Sequence, residues 1–63
     1  MCEANAYLVE GDETRLLMER VDPMAPEGDG LRLVDIFGTQ IFLKARIQSL
    51  SLVDNKVYLT RNG

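Results

Sequence analysis

Between Gln40 and Val53 the chain alternates apolar and polar residues over its longest run, with Ile41, Leu43, Ala45 and Ile47 at odd positions and Lys44, Arg46 and Gln48 facing the other way. A period of two is the signature of a half-buried strand. After Ile47 the apolar residues move to even positions, Leu50 and Leu52. A one-residue slip would turn that apolar set toward solvent, so one residue near Gln48 or Ser49 must be absorbed by a bulge or bend. A long bent strand of this kind lets a small sheet curl over and close on itself.

The rest of the chain supplies the partners for such a strand. Residues Cys2 to Val9 place Cys2, Ala4, Ala6 and Leu8 on one face and Glu3, Asn5, Tyr7 and Val9 on the other, which predicts a first strand. Glu10-Gly11-Asp12-Glu13 is polar and holds a glycine able to adopt positive φ, so it reads as a hairpin loop. Thr14 to Asp22 follows as a second strand with a less regular pattern; TRLLMERV would also fit a short helical turn, and the hairpin-sized loop before it favours the strand. Both prolines fall in the segment Pro23 to Gly30, PMAPEGDG, which predicts a loop. Leu31 to Ile36 is a short third strand, DIFGT a turn around Gly38, Asp54-Asn55 a tight turn and Val57 to Thr60 the last strand. Five short strands with hairpin-sized connections predict a single all-β domain over residues 1–63, a small five-stranded antiparallel Sm-like or SH3-like barrel whose closure removes exposed edges.

A domain of 63 residues buries only about 60% of the surface its unfolded chain exposes, so its core needs help from a disulfide framework, a metal or a second chain. With one cysteine an internal disulfide is excluded. No apolar run approaches the roughly 20 residues that span a bilayer, and no basic start with an apolar stretch marks export, so the expected setting is the cytoplasm, where a thiol stays reduced. Seven Lys plus Arg against ten Asp plus Glu give a net charge of −3, the wrong sign for a protein whose main work is binding phosphate backbones. The chain has no histidine, which removes imidazole acid-base catalysis and imidazole metal ligation. Neither an activated nucleophile nor a tuned acid-base pair is present, so an enzyme is not expected.

Cys2 is the leading candidate for chemistry. A lone cysteine is ordinarily a buried, inert core residue. At position two, however, its thiol lies beside the chain's own amine. Loss of Met1 leaves a five-membered amine–thiolate chelate; retention of Met1 leaves two fused rings through the terminal amine, the Cys2 amide nitrogen and its sulfur. Thiolate with nitrogen in a planar arrangement suits nickel(II) or copper(II), whereas tetrahedral sulfur-rich sites suit zinc. Two chains about a twofold axis would supply two sulfurs and two nitrogens. Oxidation during handling would instead join the two thiols as a disulfide.

Other polar groups carry weaker signals. Glu27 and Asp29 in the Pro/Gly loop could hold a hard cation, but two carboxylates fall short of the six to eight oxygens calcium prefers, and a solvated loop fits them better. Glu10, Asp12 and Glu13 read as hairpin-tip solubilisers. Lys44 and Arg46, with Arg32 on a neighbouring strand, could present a basic patch for single-stranded RNA, but Tyr7, Phe37, Phe42 and Tyr58 form a thin stacking platform. A solvated strand face is the better fit.

Taken together, the opening MCEANAYL, the stretch LMERVD, the loop PEGDG followed by LRLVDIFG and the closing ARIQSLSLVDNKVYL resemble the small CooT-like proteins, in order and spacing, over nearly the whole chain. The resemblance implies an Sm-like barrel and a homodimer that binds one nickel(II) per dimer through the cysteine after the initiator methionine, here Cys2. It further implies a metallochaperone or sensor role in nickel supply to carbon monoxide dehydrogenase. Members have also been labelled RNA-binding, a function the fold alone does not license. RNA binding is therefore the alternative expectation.

Overall fold

The computed structural model describes residues 4–62. The described residues form six strands and no helix: β1 (Ala4–Glu10), β2 (Glu13–Glu27), β3 (Gly30–Asp35), β4 (Gln40–Leu43), β5 (Ala45–Ser51) and β6 (Lys56–Arg61). They make one sheet in the order β4-β3-β2-β1-β6-β5. The strands β4 and β5 are joined through Lys44 alone, yet they occupy opposite edges, so the sheet must curl until those edges meet at the joint. The result is a strongly curled, barrel-like all-β fold, as the bent-strand pattern predicts.

The strand number and the strand directions depart from the expectation. The single long strand is broken at Lys44 into β4 and β5, which raises the strand number from five to six. The sheet is also mixed, because β1 and β6 run parallel, with Asn5 opposite Lys56 and Val9 opposite Thr60. Parallel neighbours need a long crossover. Here all the intervening strands act as that crossover, wrapping the sheet around its own core. The expected bulge is present where the apolar phase changes: Ile47 pairs with Leu59 and Ser49 with Tyr58, leaving Gln48 as the extra residue.

The segment expected to be a Pro/Gly loop is mostly strand, since β2 continues to Glu27. Its prolines are tolerated for local reasons. Among the described residues, the last pair of β1 with β2 is Ala4 with Val21, and beyond it β2 pairs with β3 from Met24 to Glu27. Pro26 lies opposite Leu31, past the described pairs with β1, and Pro23 falls in the irregularity between the Val21–Asp35 and Met24–Leu33 pairs. Further shifts against β1, between Ala4 and Ala6 and between Ala6 and Tyr7, put extra residues into β2. They explain its irregular sequence pattern. Arg20 takes positive φ there (55°), with its N–H donating to Asn5 Oδ1 at 3.2 Å.

The core lies on the concave face and consists of Ala6, Leu8, Met18, Val21, Leu31, Leu33, Ala45, Val57 and Leu59. On the convex face Tyr7 and Tyr58, neighbours across β1 and β6, stack with ring centroids 5.6 Å apart.

Candidate functional site

Cys2 and Met1 lie outside the described residues, and β1 places the chain that carries them. The inward positions of β1, read from its start, are Ala4, Ala6, Leu8 and Glu10. They run from one mouth of the curled sheet to the other, and the two mouths differ in chemistry.

At the far mouth, Glu10 is held by two guanidinium groups: Arg61 Nε donates to Oε2 at 2.7 Å and Arg15 Nη2 to Oε1 at 2.8 Å. The hydrogen bond from Arg61 holds the Glu10 carboxyl below its ordinary pKa, with the charges of both arginines adding to the effect. Nearby the sheet edges meet. The Asn62 N–H donates to the Lys44 carbonyl at 3.0 Å, Asn62 Nδ2 donates to the Asp29 carbonyl at 2.6 Å, and Lys44 Nζ lies 3.9 Å from Asp29 Oδ2. Gly30 is buried against Leu43 and Lys44 at this seam. This mouth is closed by polar groups.

Among the described residues, the mouth at the start of β1 forms an apolar cleft. A cleft of about 390 Å³ is lined by Ala4, Val21, Met24, Leu50, Leu52 and Val57, with Asp22, Ser51, Asn55 and Lys56 completing its wall. Val21 and Val57 belong to the core. Leu50 pairs with Val57 and so faces inward, yet it is 57% exposed, and Leu52, in the turn that follows, is 84% exposed. The bulge at Gln48 is what turns Leu50 inward. Sequence reasoning used this phase change to infer closure, and the same signal points to Leu50 as an exposed extension of the core.

The other candidates are dispersed. Glu27 is engaged by Arg32, whose Nη2 donates to Oε1 at 2.6 Å, and Asp29 faces Lys44, so these acids form ion pairs rather than a cation site. Among the described residues no group of three or more His, Cys, Asp or Glu side chains could hold a metal ion. The basic residues are not gathered into a free patch either. Arg32 binds Glu27 and Gln40, while Arg46 Nη1 donates to Asn62 Oδ1 at 3.0 Å. Tyr7 and Tyr58 stack together, whereas Phe42 lies opposite Arg32 on β4 and Phe37 projects from the β3–β4 turn, 80% exposed. Among the described residues no helix is long and apolar enough to cross a membrane.

With this geometry in hand, comparisons with known proteins are specific. A family profile described as CO dehydrogenase accessory protein CooT matches residues 1–60. The crystal structure of a CooT-assigned protein from Carboxydothermus hydrogenoformans is similar at 45% sequence identity with a TM-score of 0.92, covering 98% of this chain and 100% of that one. Among curated proteins none matches the sequence.

Proposed function

This chain belongs to the CooT family of CO dehydrogenase accessory proteins, and from that premise we propose that it carries nickel(II) for CO dehydrogenase maturation, as a homodimer holding one ion through Cys2 of both copies. The observation that carries the reading is that the family match begins at residue 1 and so includes the one cysteine of the chain. Two further observations support it. Elsewhere, among the described residues, there is no competing cluster of ligands. The strand that leads back to Cys2 also starts at the apolar cleft, which Ala4 lines.

In this reading nickel is cargo. Cys2 supplies thiolate sulfur and the neighbouring backbone or terminal amine supplies nitrogen, a donor set suited to a soft-leaning divalent ion. The thiol must lose its proton to bind, so uptake releases protons and weakens as pH falls. No acid-base or nucleophilic step is required of the chain, in keeping with an accessory rather than a catalytic role.

Native mass spectrometry of the chain with added nickel tests this directly. The expected result is a dimer carrying one nickel, with a thiolate-to-nickel charge-transfer absorption, and Cys2→Ser abolishing both the bound ion and the band. Unchanged nickel affinity and stoichiometry in Cys2→Ser would overturn it.

A further inference from the structure

The β3–β4 turn carries the most exposed aromatic ring of the described residues on a fixed backbone. Asp35 Oδ1 accepts from the N–H groups of Phe37 and Thr39 at 2.9 and 2.8 Å. The Gly38 N–H donates to the Asp35 carbonyl, and the Asp35 N–H to the Thr39 carbonyl, both at 3.0 Å. A further bond from the Ile36 N–H to the Arg20 carbonyl, at 3.2 Å, ties the turn to β2. Phe37 is 80% exposed there, with the exposed Ile36 beside it, and neither belongs to the core. Between the turn and β2 runs a groove of about 520 Å³, lined by Leu17 and Ile41, which pack against the core, and by the charged Glu19, Arg20 and Asp35.

We infer that Phe37 and the adjoining groove form the face that docks the client enzyme, whose matching surface offers an apolar pocket for the ring and a basic side chain for Glu19. The inference rests on the nickel-carrier reading above. An aromatic side chain on a turn that is already ordered has little conformational freedom left to lose on burial, which is what makes an anchor at a protein interface. Charge narrows the partner further. The groove carries two carboxylates against one guanidinium, and none of the three enters an ion pair among the described residues, so Lys or Arg opposite Glu19 is favoured and an acidic surface is repelled. Position suits delivery as well. Asp35, Val21 and Ala4 lie opposite one another across β3, β2 and β1, about 10 Å from first to last at ordinary strand spacing. The turn therefore stands on the flank of the strand end that leads to Cys2, and an enzyme seated on Phe37 lies beside the proposed cargo.

Isothermal titration calorimetry of the intact chain with nickel-free CO dehydrogenase tests the assignment. Phe37→Ala is expected to weaken binding by at least about tenfold. Its far-UV circular dichroism should be unchanged, because the ring is exposed and the turn is held by the Phe37 backbone and by Asp35. Glu19→Lys is expected to weaken binding too and to reduce its dependence on salt. Phe42→Ala, which removes an exposed ring from the opposite face of β4 to Ile41, is expected to leave the dissociation constant unchanged. Wild-type affinity in either Phe37→Ala or Glu19→Lys overturns the assignment, and so does a wild-type chain that does not bind the enzyme. Nickel is read separately by native mass spectrometry. A chain that takes up nickel but is indifferent to Phe37→Ala keeps the carrier reading and loses this face, whereas docking through Phe37 by a chain that never binds nickel keeps the face and loses the carrier reading.

Discussion

Gly30→Ala tests whether the seam holds the curl. A Cβ at this position would lie 3.0 Å from both the Leu43 carbonyl carbon and the Lys44 Cα, and closer still to the Leu43 carbonyl oxygen. Those are backbone atoms at the joint between β4 and β5, so no side chain can rotate aside. Ordinary contact needs about 3.4 Å, and the strands must separate by several tenths of an ångström or more. Overpacking of this kind costs about 1–3 kcal/mol. Separation also strains the bonds from Asn62 to the Lys44 and Asp29 carbonyls, each worth about 0.5–1.5 kcal/mol net. Against this stands a gain of about 0.4–1 kcal/mol from the stiffer unfolded chain. The clash wins, and a loss of about 2 kcal/mol or more is expected.

That is a large share of the about 3–9 kcal/mol expected for a chain of this length. Urea unfolding followed by far-UV circular dichroism, at one fixed protein concentration because dimerisation adds to apparent stability, gives the comparison. With a slope of about 1 kcal/mol/M the midpoint should fall by about 2 M. Gly28→Ala separates sterics from backbone strain. Gly28 has φ of +59° with nothing within 4 Å of its added Cβ, so its alanine variant should lose about 1 kcal/mol, less than Gly30→Ala. A Gly30→Ala midpoint at the wild-type value, or above that of Gly28→Ala, would refute the close approach at the seam as a determinant of the curl.

Other consequences can be checked alongside. Leu33→Ala, which empties a fully buried position on β3, should cost about 2–5 kcal/mol and leave a measurable unfolded fraction in water by hydrogen exchange. Because the folded-state pKa of Glu10 is depressed, its ion pairs contribute stability above the unfolded carboxylate pKa and lose it as pH falls through the folded value; stability of Glu10→Gln should therefore vary less with pH below about 4.5 than that of wild type, and equal acid sensitivity would assign the effect elsewhere. Single-stranded RNA should produce no gel shift even at low salt, since Arg32 and Arg46 are held within the chain and net charge is −3; a shift lost in Lys44→Ala with Arg46→Ala would establish an RNA surface instead.

The strands were legible where pattern and environment agree. From Ala6 to Val9 in β1 and from Val57 to Thr60 in β6 alternation matches burial, and the phase change alone placed a bulge at Gln48 or Ser49. The run of β2 through both prolines was not. Its period is broken by bulges, and whether a proline is tolerated depends on the pairing around it, a property of the sheet rather than of the segment. The parallel β1–β6 pair was hidden for a similar reason, because strand order is decided by the curl as a whole. Gly30 looked like one more loop glycine until the seam brought Leu43 and Lys44 against it. For the candidate site, sequence singled out Cys2 by chemistry; Leu50 and Leu52 were placed on an apolar face, and their exposure emerges only in the folded sheet.

The proposed nickel site links two equilibria. The ion pairs of Glu10 with Arg15 and Arg61 lie at the mouth opposite the strand end that leads to Cys2. If one ion is shared by two copies through Cys2, nickel binding should strengthen dimerisation, and dimerisation nickel binding, by the same factor. Measuring the dimer constant with and without nickel, and nickel affinity as a function of chain concentration, yields both sides of that equality. A nickel affinity that does not change with chain concentration would break it, and with it the shared site.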